Sequence, residues 1–243
     1  MTTTDRVLFL HGIGMTATGW APQIAALADR FHCLTWEAPG YGDAPAPTGP
    51  VTFASLASDV AEAIGDAGAH LVGLSWGGQI ALHTALDHPG CVASLALLDT
   101  SPAFGIDGTD PDAWRRLRLE PLDRGVSPAA LAEPVLRSVM APDVADGALA
   151  EAIASMARIS PAGLRAAVEC LPSHDVRTRL REIACPTLVI VGELDRETPP
   201  PYARLLADGI PNARLAIIPG AGHITNLEAP DAVNALLRDH LAA

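Results

Sequence analysis

Leu71-Val72-Gly73-Leu74-Ser75-Trp76-Gly77-Gly78 decides the reading of this chain. Leu71–Leu74 is a short apolar run, predicted as a buried strand, and Trp76–Asp87 has the length and composition of a helix. Between them lies G-x-S-x-G, which sets one serine on a turn from strand to helix. Glycines at 73 and 77 fit such a turn, because it is too tight for side chains on its flanks. The turn lifts the hydroxyl clear of the sheet and leaves it at a helix N-terminus, where developing negative charge is favoured. Ser75 is the candidate nucleophile.

Outward from this turn the chain alternates short apolar runs with helical patterns. Val7–Leu10 reads as a strand, Ala17–Arg30 as a helix and Phe31–Trp36 as a strand. A Pro/Gly-rich loop, Glu37–Pro50, leads to a helix at Phe53–Gly68, and Val92–Leu98 is the strand after the Ser75 helix. This rhythm is that of a parallel α/β sheet. It then breaks: from Ser101 to Ala184 only helical stretches are expected, near Pro111–Leu119, Pro128–Met140, Asp146–Ile159 and Ala162–Leu171. Prolines 111, 128 and 161 suit helix first turns. Strands return at Thr187–Val191 and Arg214–Ile218, and Asp231–Leu241 is a closing helix. The expected organisation is a core of residues 1–100 and 185–243, with residues 101–184 inserted as a helical lid over a sheet-borne site.

A serine nucleophile needs a base. His223, in Gly220-Ala221-Gly222-His223, follows the last strand on a loop that glycines leave free to approach the sheet end. The remaining histidines read as structural: His32 and His70 open strands, His83 and His88 belong to the helix behind the nucleophile, and His174 and His240 are expected to be peripheral. The acid that orients His223 should be Asp195, at the carboxyl end of Thr187–Val191 in Gly192-Glu193-Leu194-Asp195. Asp99, at the end of Val92–Leu98, is the alternative acid, and Glu193 a third candidate. Against a catalytic role, Asp99 reads as a local cap on the chain entering the lid. Two backbone N–H groups should form an oxyanion hole, those of Trp76 and of Ile13 in His11-Gly12-Ile13-Gly14, with His11 itself structural. Phe104, Trp114, Met140 and Met156 either line a pocket or form the lid's own core. Arg115, Arg116 and Arg118 could grip a substrate carboxylate, but so tight a cluster reads better as a solvated face.

Composition narrows the function. A chain of 243 residues fits one large α/β domain. The formal net charge of −12 argues against nucleic acid and anionic membranes as partners. All sixteen positive side chains are arginine, and without a lysine there is no Schiff-base or pyridoxal chemistry. Cys33, Cys91, Cys170 and Cys185 form no C-x-x-C pair and no zinc spacing, and are expected to be buried free thiols. No metal and no cofactor is expected. No apolar run approaches the ~20 residues of a membrane span. The N-terminus lacks a signal-peptide pattern, so the expected location is cytoplasmic.

His11-Gly12-Ile13-Gly14, Ala38-Pro39-Gly40-Tyr41-Gly42, Gly73–Gly78, Val191–Asp195 and Gly222-His223 together resemble the α/β-hydrolase superfamily, over essentially the whole chain apart from the lid. Gly220-Ala221-Gly222-His223-Ile224-Thr225-Asn226-Leu227-Glu228 is similar to the 3-oxoadipate enol-lactonase-like branch, whose members open small lactones and esters without metal or organic cofactor. The resemblance implies a serine hydrolase that cleaves a carboxylic ester or lactone of a small-molecule substrate through Ser75, His223, Asp195 and an acyl-enzyme. A C–C bond hydrolase or lyase, a biosynthetic cyclase and a hydrolase-like small-molecule receptor stay open on the same fold. The chain departs from the family at its start. Only Met1–Arg6 precede the first strand, too few for the family's N-terminal hairpin. A sheet of about six strands, all parallel, is therefore expected, with Phe31–Trp36 as an exposed edge. Either a second copy, in a homodimer, or the segment Ala44–Pro50 should cover that edge.

Overall fold

The computed structural model describes residues 5–242. Six strands form one sheet: β1 (Arg6–Leu10), β2 (His32–Trp36), β3 (Ala69–Leu74), β4 (Val92–Leu98), β5 (Thr187–Gly192) and β6 (Ala213–Ile218). Their order is β2-β1-β3-β4-β5-β6, and every pairing is parallel, as the sequence predicts. The four inner strands are nearly continuous apolar runs because helices cover both of their faces. The edge strands β2 and β6 are the least buried, so Phe31–Trp36 does supply an edge, paired with β1 alone among the described residues. Whether a hairpin is missing turns on residues 1–6, of which 1–4 lie outside the described residues. Strand order reverses direction between β1 and β3. In an open α/β sheet, the crevice beyond the carboxyl ends at such a point is where ligands bind.

The helices of the core are α1 (Ala21–Leu27), α2 (Phe53–Ile64) and α3 (Trp76–Asp87). Between β4 and β5 come α4 (Pro111–Asp123), α5 (Pro128–Val139), α6 (Asp146–Met156) and α7 (Pro161–Cys170). The three prolines open α4, α5 and α7, and Asp110, Ser127 and Ser160 cap them by accepting from the N–H groups of Ala113, Ala130 and Gly163. After β5 come α8 (Pro200–Gly209), α9 (Thr225–Glu228) and α10 (Pro230–Leu241). Two expectations need correction, and one helix was not foreseen. The helix expected at Ala17–Arg30 is a 3-10 turn, Ala17–Trp20, followed by the shorter α1, because Pro22 starts a new helix. The helix from Phe53 stops at Ile64, where Gly65 turns the chain at φ 63°. Helix α8 was hidden behind Pro199-Pro200-Pro201, although Ala203 and Leu206 give it a buried face. No described helix is long and apolar enough to cross a membrane.

Candidate active site

Ser75 caps β3 and precedes α3 with φ 52°, a region that L-residues seldom occupy. The strain persists because the surroundings allow no alternative. A Cβ on Gly77 would lie 2.2 Å from the Leu10 carbonyl oxygen, and one on Gly73 would lie 2.4 Å from that of Gly77. The backbones of β1, β3 and α3 therefore meet directly beneath the serine. The hydroxyl oxygen stands 2.9 Å from His223 Nε2, and His223 Nδ1 stands 2.8 Å from Asp195 Oδ2. The three sequence-expected side chains thus form one hydrogen-bonded line, drawn from the ends of β3 and β5 and from the loop after β6.

Asp195 is 3% exposed and takes four hydrogen bonds. Oδ1 accepts from the N–H groups of Glu197 and Thr198, and Oδ2 accepts from the Thr198 hydroxyl and from His223. Burial alone would raise its pKa, but the His223 charge and these donors bring it below the ordinary carboxylate value. His223 feels the reciprocal effect. Burial pulls it down, yet the carboxylates of Asp195, Asp99 and Glu197 outweigh burial and hold the imidazole up at about 9.

Asp99 does not touch His223. Its Oδ1 accepts from the Gly192 N–H at 3.0 Å, and its Oδ2 accepts from the N–H and the hydroxyl of Thr225. The reading of Asp99 as a cap on the lid entrance is corrected: its side chain is buried and joins the last residue of β5, ahead of Asp195, to the first residue of α9, after His223. Burial pushes its carboxyl up to about 7, with the Asp195 charge adding to the rise. Glu193, the third acid candidate, accepts from Gly220 N on the exposed side and does not meet His223. Glu228 was missed as a site residue. Its carboxylate accepts from the N–H groups of Gly222, Ile224 and Ala141, and so pins both flanks of His223 and the end of α5. Only its position five residues after the histidine could have pointed to it.

The amide N–H of Trp76 is the first of α3, and Ile13 lies in the loop after β1; neither donates to a backbone acceptor among the described residues. His11 is fully buried beside them. Its Nε2 accepts from the Ala38 N–H and its Nδ1 donates to the Gly12 carbonyl, which fixes a neutral ring that burial holds down at about 4. Two other histidines correct the expectation of a peripheral place. His174 and His240 are both buried, bonded to the carbonyls of Ser101 and Leu95. Of the four free thiols only Cys170 is buried; Cys33, Cys91 and Cys185 are half-buried.

Above Ser75 opens a cavity of about 540 Å³ that also meets His223, Ile13 and the helices α4–α7. Phe104, Trp114 and Met156 line it, whereas Met140 packs inside the fold without reaching it. Arg118 leaves the expected solvated face. It lines the cavity, lies 4.2 Å over the Trp114 ring and meets Glu197 at 3.5 Å, while Arg115 pairs with Asp112 outside. No group of three or more metal-ligating side chains occurs among the described residues.

Comparison with known proteins shows the family of the chain. The profile described as "Alpha/beta hydrolase family" matches residues 7–236. The pimeloyl-[acyl-carrier protein] methyl ester esterase of Chromobacterium violaceum is 34% identical over 239 residues, spanning 97% of this chain and 93% of that protein. The enol-lactonase from Burkholderia xenovorans LB400 superposes with a TM-score of 0.88 at 28% identity, over 99% of this chain and 92% of that one. A thermophilic esterase from Thermogutta terrifontis also reaches 0.88 at 28% identity, over 98% and 89%.

Proposed function

The chain belongs to the alpha/beta hydrolase family, and from that premise we propose that it cleaves a carboxylic ester or lactone of a small molecule, with Ser75 as nucleophile, His223 as base and Asp195 as the acid. The observation that carries the reading is the unbroken line from Ser75 Oγ through His223 to Asp195, at 2.9 and 2.8 Å. Ser75 Oγ attacks the carbonyl carbon while His223 Nε2 takes its proton. The oxyanion forms against the N–H groups of Ile13 and Trp76, and the dipole of α3 favours it. His223 then protonates the departing oxygen, leaving an acyl-Ser75. Water attacks this ester as His223 takes its proton. Collapse releases the acid and returns a proton to Ser75. Asp195 holds Nδ1 protonated throughout, so that Nε2 faces the serine.

Helices α4–α7 act in this reading as the lid that shields the acyl-enzyme. A relative's activity on a methyl ester and the enol-lactonase likeness both support ester or lactone chemistry over C–C cleavage. Turnover of p-nitrophenyl acetate and of a simple lactone is the test. Hydrolysis of either at a rate that Ser75→Ala abolishes supports the proposal. Ligand binding with no turnover of any ester, lactone or thioester would point to a receptor and overturn it.

A further inference from the structure

The cavity above Ser75 is apolar both in its depth and at its mouth. Its deep wall is apolar: Leu131 and Leu136 come from α5, Met156 from α6, Leu164 and Val168 from α7, and Leu171 follows directly. Its mouth is apolar as well. Leu117 and Val135 are 67% and 40% exposed, and both line the cavity, one from α4 and one from α5. Leu194 and Leu205, the other two large apolar side chains left in water among the described residues, do not. Exposed leucine and valine at the opening of an apolar cavity, rather than scattered at random, mark a surface that a ligand covers.

The charged side chains of the cavity offer no net charge to a substrate. Arg118 is spent on Glu197 at 3.5 Å and on the Trp114 ring at 4.2 Å. Asp107 is held by the N–H and hydroxyl of Thr109. Arg196 lines the rim with its side chain exposed, where water screens it. Two arginines and two carboxylates line the cavity, and the acidic surplus of the whole chain lies outside. To serve an anionic substrate Arg118 would have to leave Glu197, and Arg196 would offer only a water-screened contact at the rim.

Resting on the hydrolase reading above, we infer that the substrate is an uncharged ester or lactone carrying an apolar chain or ring, which lies along α5 and α7 and emerges between Leu117 and Val135. A cavity of about 540 Å³ has room for such a group together with the scissile carboxyl. Each methylene moved from water onto an apolar wall improves binding roughly fourfold. Chain length should therefore show in kcat/KM.

The test is two series measured below micellar concentration: p-nitrophenyl acetate, butyrate, hexanoate and octanoate for the acyl side, and acetates of lengthening alcohols for the other. In at least one series kcat/KM rises about tenfold or more before it levels off. A terminal carboxylate on the hexanoate chain lowers it. Val135→Asp with Leu117→Asp shrinks the ratio of octanoate to acetate turnover, and Leu164→Trp, which fills the wall without adding charge, shrinks it independently. Flat or falling profiles in both series, or a carboxylate-ended chain turned over better than the plain one, would overturn the inference while leaving the hydrolase intact. Failure of every ester, with no covalent labelling of Ser75, would instead overturn the hydrolase reading beneath it.

Discussion

Asp99 grips Thr225 twice, its Oδ2 accepting from the threonine N–H at 3.0 Å and from the hydroxyl at 2.7 Å. With the Gly192 N–H on Oδ1, three donors converge on one buried carboxylate. The contact fixes the spacing of the two loops that carry Asp195 and His223. It also separates the roles of two aspartates that stand at the ends of neighbouring strands.

The first prediction compares them. Asp195→Asn removes the carboxylate that holds Nδ1 of His223, and kcat should fall by about 10³- to 10⁴-fold. Asp99→Asn brings an amide N–H against donors, an unpaired clash worth about 1–3 kcal/mol of stability. Its thermal midpoint should drop, and its loss of kcat should be clearly the smaller of the two. Steady-state kinetics beside a melting curve decide the matter; a larger kcat loss in Asp99→Asn would transfer the acid to β4.

The second prediction concerns pH and rate. A base works only when unprotonated, and the carboxylates of Asp195, Asp99 and Glu197 hold His223 up at about 9. kcat/KM should rise with pH through the range above neutrality, its limb well above the ordinary histidine value. Asp99→Asn removes one of those charges and should move the limb to lower pH. An activity already flat from pH 6.5 upward would contradict the electrostatic account.

A third prediction follows from histidines outside the reaction. Burial holds His11 down at about 4 and His174 down at about 3, against 6.5 for a free side chain. Both folded pKa values lie below the unfolded one. The stability they protect is complete above pH 6.5 and is lost as pH falls toward 4, amounting to roughly 2 kcal/mol each by pH 4.5. Asp99, raised to about 7, and His223, raised to about 9, work in the opposite sense, but His240, also buried and held down at about 4, joins His11 and His174 and keeps the net effect a loss on acidification. The thermal midpoint should therefore be lower at pH 4.5 than at pH 7.5. His174→Gln, which cannot take a charge, should lessen the fall. A midpoint that rises on acidification would reverse the sign and refute the argument.

A fourth prediction is indifference to chelators. No three ligating side chains come together among the described residues, and the proposed steps use only Ser75, His223, Asp195 and backbone N–H groups. Prolonged EDTA treatment should leave turnover of p-nitrophenyl acetate unchanged. A loss that added metal restores would reveal a site these residues do not account for.

Much of this was legible in the sequence because the fold writes its active site locally. The limits of α3 and β4 could be read to the residue, since a G-x-S-x-G turn and a His-Pro-Gly stop bound the helix between them. What could not be read depends on distance along the chain. Asp99 looked like a local cap because its partners, Gly192 and Thr225, are 93 and 126 residues away. Glu228 stood in the stretch after His223 with nothing beyond its position to mark it, because its work is to receive N–H groups, which every residue but proline has. His174 and His240 looked peripheral because burial of a polar ring is decided by a neighbouring carbonyl that sequence does not reveal. Arg118 seemed one of a charged cluster, and nothing local showed that its guanidinium would lie over Trp114 and line the cavity.

The central claim is that Ser75 is the activated nucleophile, and covalent labelling tests it most directly. A fluorophosphonate probe should modify the native chain once, with the adduct mapped by mass spectrometry to the peptide containing Ser75, and hydrolysis of p-nitrophenyl acetate should stop in step with labelling. Ser75→Ala should keep its fold by circular dichroism and lose both. Labelling at another residue, or a Ser75→Ala variant that retains activity within about tenfold of the native chain, about 1.4 kcal/mol in the barrier, would contradict the account.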